Sequence, residues 1–223
     1  MNYSNVYYKL QREELVQHVL KGKNRILDVG CAEGFLGESL KKNGLASEVV
    51  GIEVFPGAAL QAASRLDQVI CEDLENLKRN CTILAPQSFD YILCGDVLEH
   101  LRDPWQTFTW LATLLKEDGL AIVSVPNVRH WSVLVPLLFK GEWHYRDHGI
   151  MDRTHLRFFT KKTAKQLLVD AGLNVEFCQG CKLRRKKDRL LNFIMLGMGK
   201  GFVSVQWILT GRKQGGRIAC HGA

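Results

Sequence analysis

The sequence predicts an α/β fold, a parallel β-sheet covered by helices, on three observations. Short apolar runs of β character alternate with helix-like segments along most of the chain, the arrangement of strands joined by crossover helices. The first run, Arg25 to Val29, ends in a loop of small residues, Gly30-Cys31-Ala32-Glu33-Gly34, that turns directly into a helix. The second, Glu48 to Val54, carries an acid, Glu53, near its end.

Leu10 to Leu20 reads as a leading amphipathic helix. Gly34 to Lys42 and Pro56 to Arg65 are the helices that follow the first two strands, Val69 to Cys71 is a brief third strand, and Phe89 to Cys94 is the fourth. Asp103 can cap the next helix, and Pro104 suits its first position, where no amide hydrogen is needed. That helix carries Trp105 to Leu115 and stops near Gly119; Leu120 to Val125 is the fifth strand, ended by Pro126. Thr160 caps a helix through Ala171, with Gly172 as its terminator. Leu173 to Cys178 and Phe202 to Leu209 are the last two strands.

With 223 residues the chain can bury one substantial core and is marginal for two. A single domain over residues 1–213 is expected, carrying inserts at 128–159 and 180–201, with a Gly-rich flexible tail at 214–223. No run approaches the roughly 18 apolar residues of a membrane span. Trp131 to Phe139 is short and contains Pro136, and Met1 to Leu10 lacks a signal-peptide core. The expected location is cytoplasmic. Seven cysteines are an odd number, and Cys31, Cys71 and Cys94 lie in or beside apolar runs, as buried reduced thiols do. Cys178 and Cys181 form a lone CxxC, better read as ordinary strand residues.

The formal net charge is +7, and much of the excess sits in Lys182 to Arg189, where only Asp188 is acidic. Such a run is usually a solvated face; the alternatives are an anionic lipid surface, a phosphorylated substrate or nucleic acid. The apolar Leu190 to Met198 reads as core or as a homodimer face, and residues 182–198 together are a candidate for peripheral anionic membrane contact.

The central signal is Ile26-Leu27-Asp28-Val29-Gly30-Cys31-Ala32-Glu33-Gly34. A buried strand ends in a carboxylate, and small residues then let backbone approach a ligand at a helix start with free amides. A dinucleotide site wants G-x-G-x-x-G; counted from Gly30 this would need glycine at Ala32 and Phe35, and Phe35 fits poorly. The G-x-G-x-G register, with Ala32 and Gly34, fits two of its three positions and suits a nucleoside without phosphate. Glu53, about 20 residues on, can accept from both ribose hydroxyls. Asp73-Leu74 ends the third strand, where the carboxylate can take an adenine amino group while Leu74 packs on the ring; otherwise Asp73 is a solvated loop acid.

The set DVGCAEG, GIEV, EDLE, FDYILCGDVLEHLRDPW and GLAIVSVPN resembles the class I S-adenosylmethionine-dependent methyltransferases. Within them it is similar to the group of ubiquinone-biosynthesis O-methyltransferases and many small-molecule and sugar methyltransferases. The resemblance runs from Asn24 to Ala171, with Trp207 to Lys213 resembling a closing strand. It implies a Rossmann-like, seven-stranded, mostly parallel sheet with helices on both faces and an antiparallel last strand. It also implies S-adenosyl-L-methionine as cofactor, held at Asp28, Gly30, Cys31, Ala32, Gly34, Glu53, Asp73, Leu74 and the residues Cys94, Gly95, Asp96 and Val97. Ala32 departs from the usual glycine.

Asp96, Glu99 and His100 share one face if their stretch is helical. Such a set can hold a metal, as the resemblance suggests for some ubiquinone-type relatives, but local pairing is the better reading and no metal is assigned. Four of the seven histidines fall between Asn127 and Phe159, the expected acceptor lid. Its Asp152, Arg153 and Arg157 read as structural ion pairs. Methyl transfer to a hydroxyl needs alignment and a base, and His100, His148 and His155 are the candidates. The expected activity is O-methylation of a small hydroxylated acceptor: a sugar, a glycoside or a phenol. The rivals are an RNA or protein methyltransferase, for which no nucleic-acid module is seen, a non-catalytic scaffold that keeps the fold, and an NAD-dependent oxidoreductase.

Overall fold

The computed structural model describes residues 12–80, 83–181 and 200–214. Its strands are β1 (Arg25–Val29), β2 (Glu48–Glu53), β3 (Gln68–Cys71), β4 (Phe89–Gly95), β5 (Leu115–Pro126), β6 (Leu173–Cys181) and β7 (Gln206–Lys213). Its helices are α1 (Glu13–Val16), α2 (Phe35–Lys42), α3 (Pro56–Ala62), α4 (Leu74–Asn80), α5 (Pro104–Leu114), α6 (Trp131–Lys140), α7 (Lys161–Asp170) and α8 (Lys200–Val203). A single 3-10 turn spans Leu98–His100.

The strands form one sheet in the order β3-β2-β1-β4-β5-β7-β6. β1 to β5 pair in parallel, and β7 runs antiparallel to both β5 and β6. This is the α/β arrangement that the sequence predicts. β1, β2 and β4 are buried along nearly their whole length, as strands covered on both faces must be. Alternate side chains feed two cores. Leu27, Val29 and Ile92 pack with Phe108, Leu111 and Leu168 of α5 and α7, whereas Ile26, Val49 and Leu93 pack with Leu15, Leu36, Leu40 and Ala62 of α1, α2 and α3. Strand order reverses between β1 and β4, so a crevice opens beyond their carboxyl ends, where ligands of such sheets bind.

Both expected caps are present. Asp103 accepts from the Gln106 amide at 3.0 Å, and Thr160 and Thr163 close a capping box on α7. Other expectations need correction. α1 is one turn, not a helix from Leu10 to Leu20; Arg12 enters it in a left-handed conformation, and Leu10 lies outside the described residues. α5 passes straight into β5, so no break falls at Gly119. β6 extends to Cys181 through its pairing with β7, and β7 starts at Gln206 because 200–203 take a helical turn. Cys31 and Cys94 are buried free thiols, but Cys71 is exposed, since β3 is an edge strand.

Besides the turn at 200–203, two longer helices were not expected. α4 forms because Asp73 does not end β3: its carboxylate accepts from the Glu75 and Asn76 amides at 2.9 and 3.1 Å. α6 forms within 128–159 despite Pro136, with His130 Nδ1 accepting from the Ser132 amide at 3.2 Å. The basic run 182–189, the apolar stretch 190–198 and the tail from 215 lie outside the described residues. Among the described residues no helix is long and apolar enough to cross a membrane.

Candidate active site

At the crevice, Gly30, Ala32 and Gly34 all take left-handed backbone, with φ of 69°, 49° and 82°. The chain coils tightly there, pinned by Gly30 and Cys31 amides donating to the Ile52 carbonyl at 2.8 and 3.0 Å. A Cβ on Gly30 would sit 2.5 Å from Val97 Cγ2. Ala32 holds a conformation that costs an L-residue about 1–2 kcal/mol, so the departure from glycine leaves the turn intact but strained.

Glu53, at the end of β2, is buried and aimed at this turn. Its Oε2 accepts from the Ala32 amide and its Oε1 from the Phe55 amide, both at 2.9 Å. Each oxygen keeps a second lone pair for another donor. Asp28, 3% exposed, has no hydrogen-bond partner on Oδ2. Burial pushes its carboxyl up to about 7, Arg12 acting against this and Glu53 adding to it. Such an acid favours a cationic or N–H-bearing ligand.

Beyond β4, Asp96 is also left-handed, with φ 55°. Its amide donates to the Ser124 carbonyl and hydroxyl at 3.1 Å. Its Oδ1 accepts from Ser124 Oγ at 2.9 Å and from Gln206 Nε2, and its Oδ2 pairs with Arg12 at 3.3 Å. Arg12 also lies over Gly95, where a side chain would strike its guanidinium. Nothing in the sequence singles out Arg12, Ser124 or Gln206, since each comes from an element distant in the chain. Cys94 and Leu74 are buried in the core; Asp73, half-buried, is engaged as the α4 cap.

Asp96, Glu99 and His100 do not share a helical face, because only the single 3-10 turn forms and Asp96 precedes it with its own partners. The structure instead gathers Glu99, His100 and His155. The main-chain carbonyl of Glu99 accepts from the Leu156 and Arg157 amides at 2.8 and 3.0 Å, which seats the loop on the turn. The Glu99 side chain is 1% exposed, and neither carboxylate oxygen has a hydrogen-bond partner. His155 Nδ1 donates to the Ile150 carbonyl at 3.0 Å, leaving Nε2 4.0 Å from Glu99 Oε1. His100 Nδ1 lies 3.3 Å from the Thr154 carbonyl and 3.1 Å from Thr154 Oγ1. The two imidazoles meet edge to face, centroids 4.7 Å apart.

Burial, and then the charge of Asp96, hold Glu99 well above the usual carboxylate range. Burial lowers both histidines, and His155 further lowers His100. His148 is exposed and lies outside this cluster. Around it the loop is held by structural contacts. Asp152 accepts from the Thr154 amide at 2.8 Å, Arg153 pairs with Asp147 at 2.7 Å, and Arg157 donates to the Arg102 carbonyl. Trp143 and Tyr145 both pack on Phe158. At the loop's root, buried Asn127 donates to the Gly201 and Ser204 carbonyls at 2.9 and 2.8 Å.

Residues 5–176 match the family model described as a methyltransferase domain. The chain is 36% identical over 168 residues to the ubiquinone biosynthesis O-methyltransferase of Neisseria meningitidis, which covers 72% of this chain and 68% of that one. It is 37% identical over 112 residues to the Glaesserella parasuis protein of the same name and 31% over 153 to that of Cereibacter sphaeroides. The matches span 46% and 67% of this chain, and 45% and 60% of those relatives. In structure it is similar to a SAM-dependent methyltransferase from Archaeoglobus fulgidus, with TM-score 0.66, 18% identity and 94% and 95% of the two chains covered. It is also similar to the cyclase SpnF, with TM-score 0.65, 19% identity and 92% and 81% covered, so the fold by itself does not name a reaction.

Proposed function

This chain belongs to the class I S-adenosylmethionine-dependent methyltransferases, and from that membership we propose that it methylates an oxygen of a small hydroxylated acceptor, a sugar, a glycoside or a phenol. The observation that carries the reading is the strained turn facing Glu53, with the unsatisfied Asp28 oxygen beside it. These residues fit the cofactor. Gly30, Cys31, Ala32 and Gly34 leave room for its amino-acid arm, Asp28 offers a carboxylate to its cationic end, and the spare lone pairs of Glu53 suit ribose hydroxyls. When bound, S-adenosylmethionine supplies a methyl group already activated by its sulfonium.

What remains for the protein is alignment and removal of the hydroxyl proton. Alignment alone can supply several orders of magnitude. His155 and His100, both held below the ordinary imidazole range by burial, stand where the loop meets the end of β4 and are the candidates for that proton. The aromatic residues Trp143, Tyr145 and Phe158 of the same loop, packed on one another at steep angles, offer apolar surface to an acceptor. A transfer assay with radiolabelled S-adenosylmethionine and panels of sugars, glycosides and catechols tests the reading. Label moving to an acceptor oxygen supports it; cofactor binding without transfer to any hydroxyl would leave a scaffold, and label on RNA or protein would redirect it.

A further inference from the structure

We infer that Asp152 and Thr154 are positioning residues for the histidine pair: they hold the hydrogen of His100 on Nδ1 and leave the lone pair of its Nε2 open to the acceptor's proton. Thr154 meets His100 Nδ1 with two oxygens, its carbonyl at 3.3 Å and its Oγ1 at 3.1 Å. A carbonyl can only accept, and a hydroxyl is held to accepting when its own hydrogen goes elsewhere. Asp152 takes that hydrogen. Its Oδ1 accepts from Thr154 Oγ1 at 2.7 Å and from the Thr154 amide at 2.8 Å. Nδ1 therefore faces two lone pairs, and the neutral ring carries its hydrogen there. Without Asp152 the Thr154 hydroxyl is free to turn its hydrogen toward Nδ1. The ring hydrogen would then move to Nε2 and close the nitrogen that serves as base.

One tight turn brings these groups together. The Asp152 and His155 amides donate to the Gly149 and Asp152 carbonyls at 3.1 and 3.0 Å, and Gly149 supplies a left-handed φ of 87°. The Leu156 and Arg157 amides then seat the chain on the Glu99 carbonyl, which fixes Thr154 opposite His100. The Ile150 carbonyl takes the Nδ1 hydrogen of His155 at 3.0 Å, so both rings hold the same tautomer, and they meet edge to face. In the step proposed for this pair, the acceptor's proton passes to Nε2, its bonding electrons stay on the oxygen, and the ring becomes an imidazolium. Burial and the neighbouring His155 oppose that charge on His100, whereas the Thr154 carbonyl and the Asp152 carboxylate favour it. Asp152 thus sets the tautomer and steadies the charged ring. Its partner is a hydroxyl, not the arginine that the sequence suggests; Arg153 pairs with Asp147 at 2.7 Å instead.

The use of that lone pair rests on the proposed methyl transfer; the tautomer does not, so it is measured first, with neither acceptor nor cofactor present. Long-range ¹H–¹⁵N correlation spectra of histidine-labelled protein, taken at about pH 8 where imidazole is neutral, read which nitrogen of His100 carries hydrogen. A His100→Gln spectrum identifies its signals. The parent is expected to show Nδ1–H, the reverse of free histidine. Asp152→Ala moves the hydrogen to Nε2 or to an even mixture. Adding Thr154→Val, which removes the freed hydroxyl, returns it to Nδ1, a reversal that mere loss of a loop contact would not give. Asp152→Asn, whose amide oxygen still accepts, keeps the parent's form. On an acceptor found by label transfer, kcat follows the tautomer. It falls at least about tenfold in Asp152→Ala and recovers to within about threefold of the parent in the double variant, with S-adenosylmethionine affinity unchanged. Nε2–H in the parent, no shift in Asp152→Ala, or a shift that Thr154→Val does not reverse would overturn the assignment. If the tautomer follows this pattern while no hydroxyl ever takes label, the positioning stands and the methyl-transfer reading falls.

Discussion

Glu53 and Glu99 are both buried acids near the carboxyl ends of the central strands, yet their surroundings differ. Glu53 accepts two backbone amides at 2.9 Å, and one of these comes from the turn it faces. Glu99 has neighbours but no donor to either oxygen. On one side the fold has finished a receptor before any ligand arrives. On the other it has assembled lone pairs around a gap, from the Leu98–His100 turn and a loop that reaches it from more than fifty residues away. A satisfied acid reads as a rigid grip; an unsatisfied one reads as a place for a proton or a cation.

Breaking the acceptor side should have the largest effect. His155→Ala is expected to lower turnover by about 10²–10⁴-fold, the range for loss of a proton acceptor, with cofactor affinity unchanged in calorimetry. A loss as large from His148→Ala, and a small one from His155→Ala, would move the base to the exposed part of the loop and dissolve the contrast. On the other side, Glu53→Ala removes charge-assisted hydrogen bonds worth about 1.5–3 kcal/mol. Cofactor affinity should fall by about 10- to 100-fold while circular dichroism of the fold is retained.

These two sides were unequally legible in the sequence. The sheet could be read because its strands are apolar on both faces, and Asp103-Pro104 and Thr160 announce their helices. The turn could be read because small residues between a strand and a helix mean close backbone approach. α4 was hidden because Asp73 served equally well, on paper, as the end of a strand. α6 was hidden because Pro136 looks like a breaker inside a short apolar run. The meeting of Glu99 with His155 was out of reach, since it depends on how 127–159 folds back on β4. That path is set by Asn127, by the Glu99 carbonyl and by the loop's own pairs, none of which has a local pattern.

A smaller effect concerns Asp28. Unfolded, it loses its proton near 3.8; folded, it holds it to about 7. Between those values the native state binds more protons, so raising the pH weakens the fold. Asp28→Asn removes that penalty. Its thermal midpoint should exceed the parent's at pH 8, the gap closing at pH 4, even as cofactor binding is lost. An equal gap at both values would mean that Asp28 is not held protonated by the fold.

The smallest expected effect is at Ala32. Glycine there relieves left-handed strain of about 1–2 kcal/mol but adds unfolded-state entropy of about 0.4–1 kcal/mol. Ala32→Gly should therefore raise the urea midpoint modestly and leave cofactor affinity near the parent's. A destabilised variant would show that the turn is not strained at this position.

Titration calorimetry of the parent chain and of Asp28→Asn with S-adenosylmethionine, and of the parent with NADH, tests the central claim most directly. Saturable binding of one S-adenosylmethionine per parent chain is expected, with a loss of at least about tenfold in affinity for the variant and no heat with NADH. Undetectable binding by the parent, or equal affinity in Asp28→Asn, would contradict it.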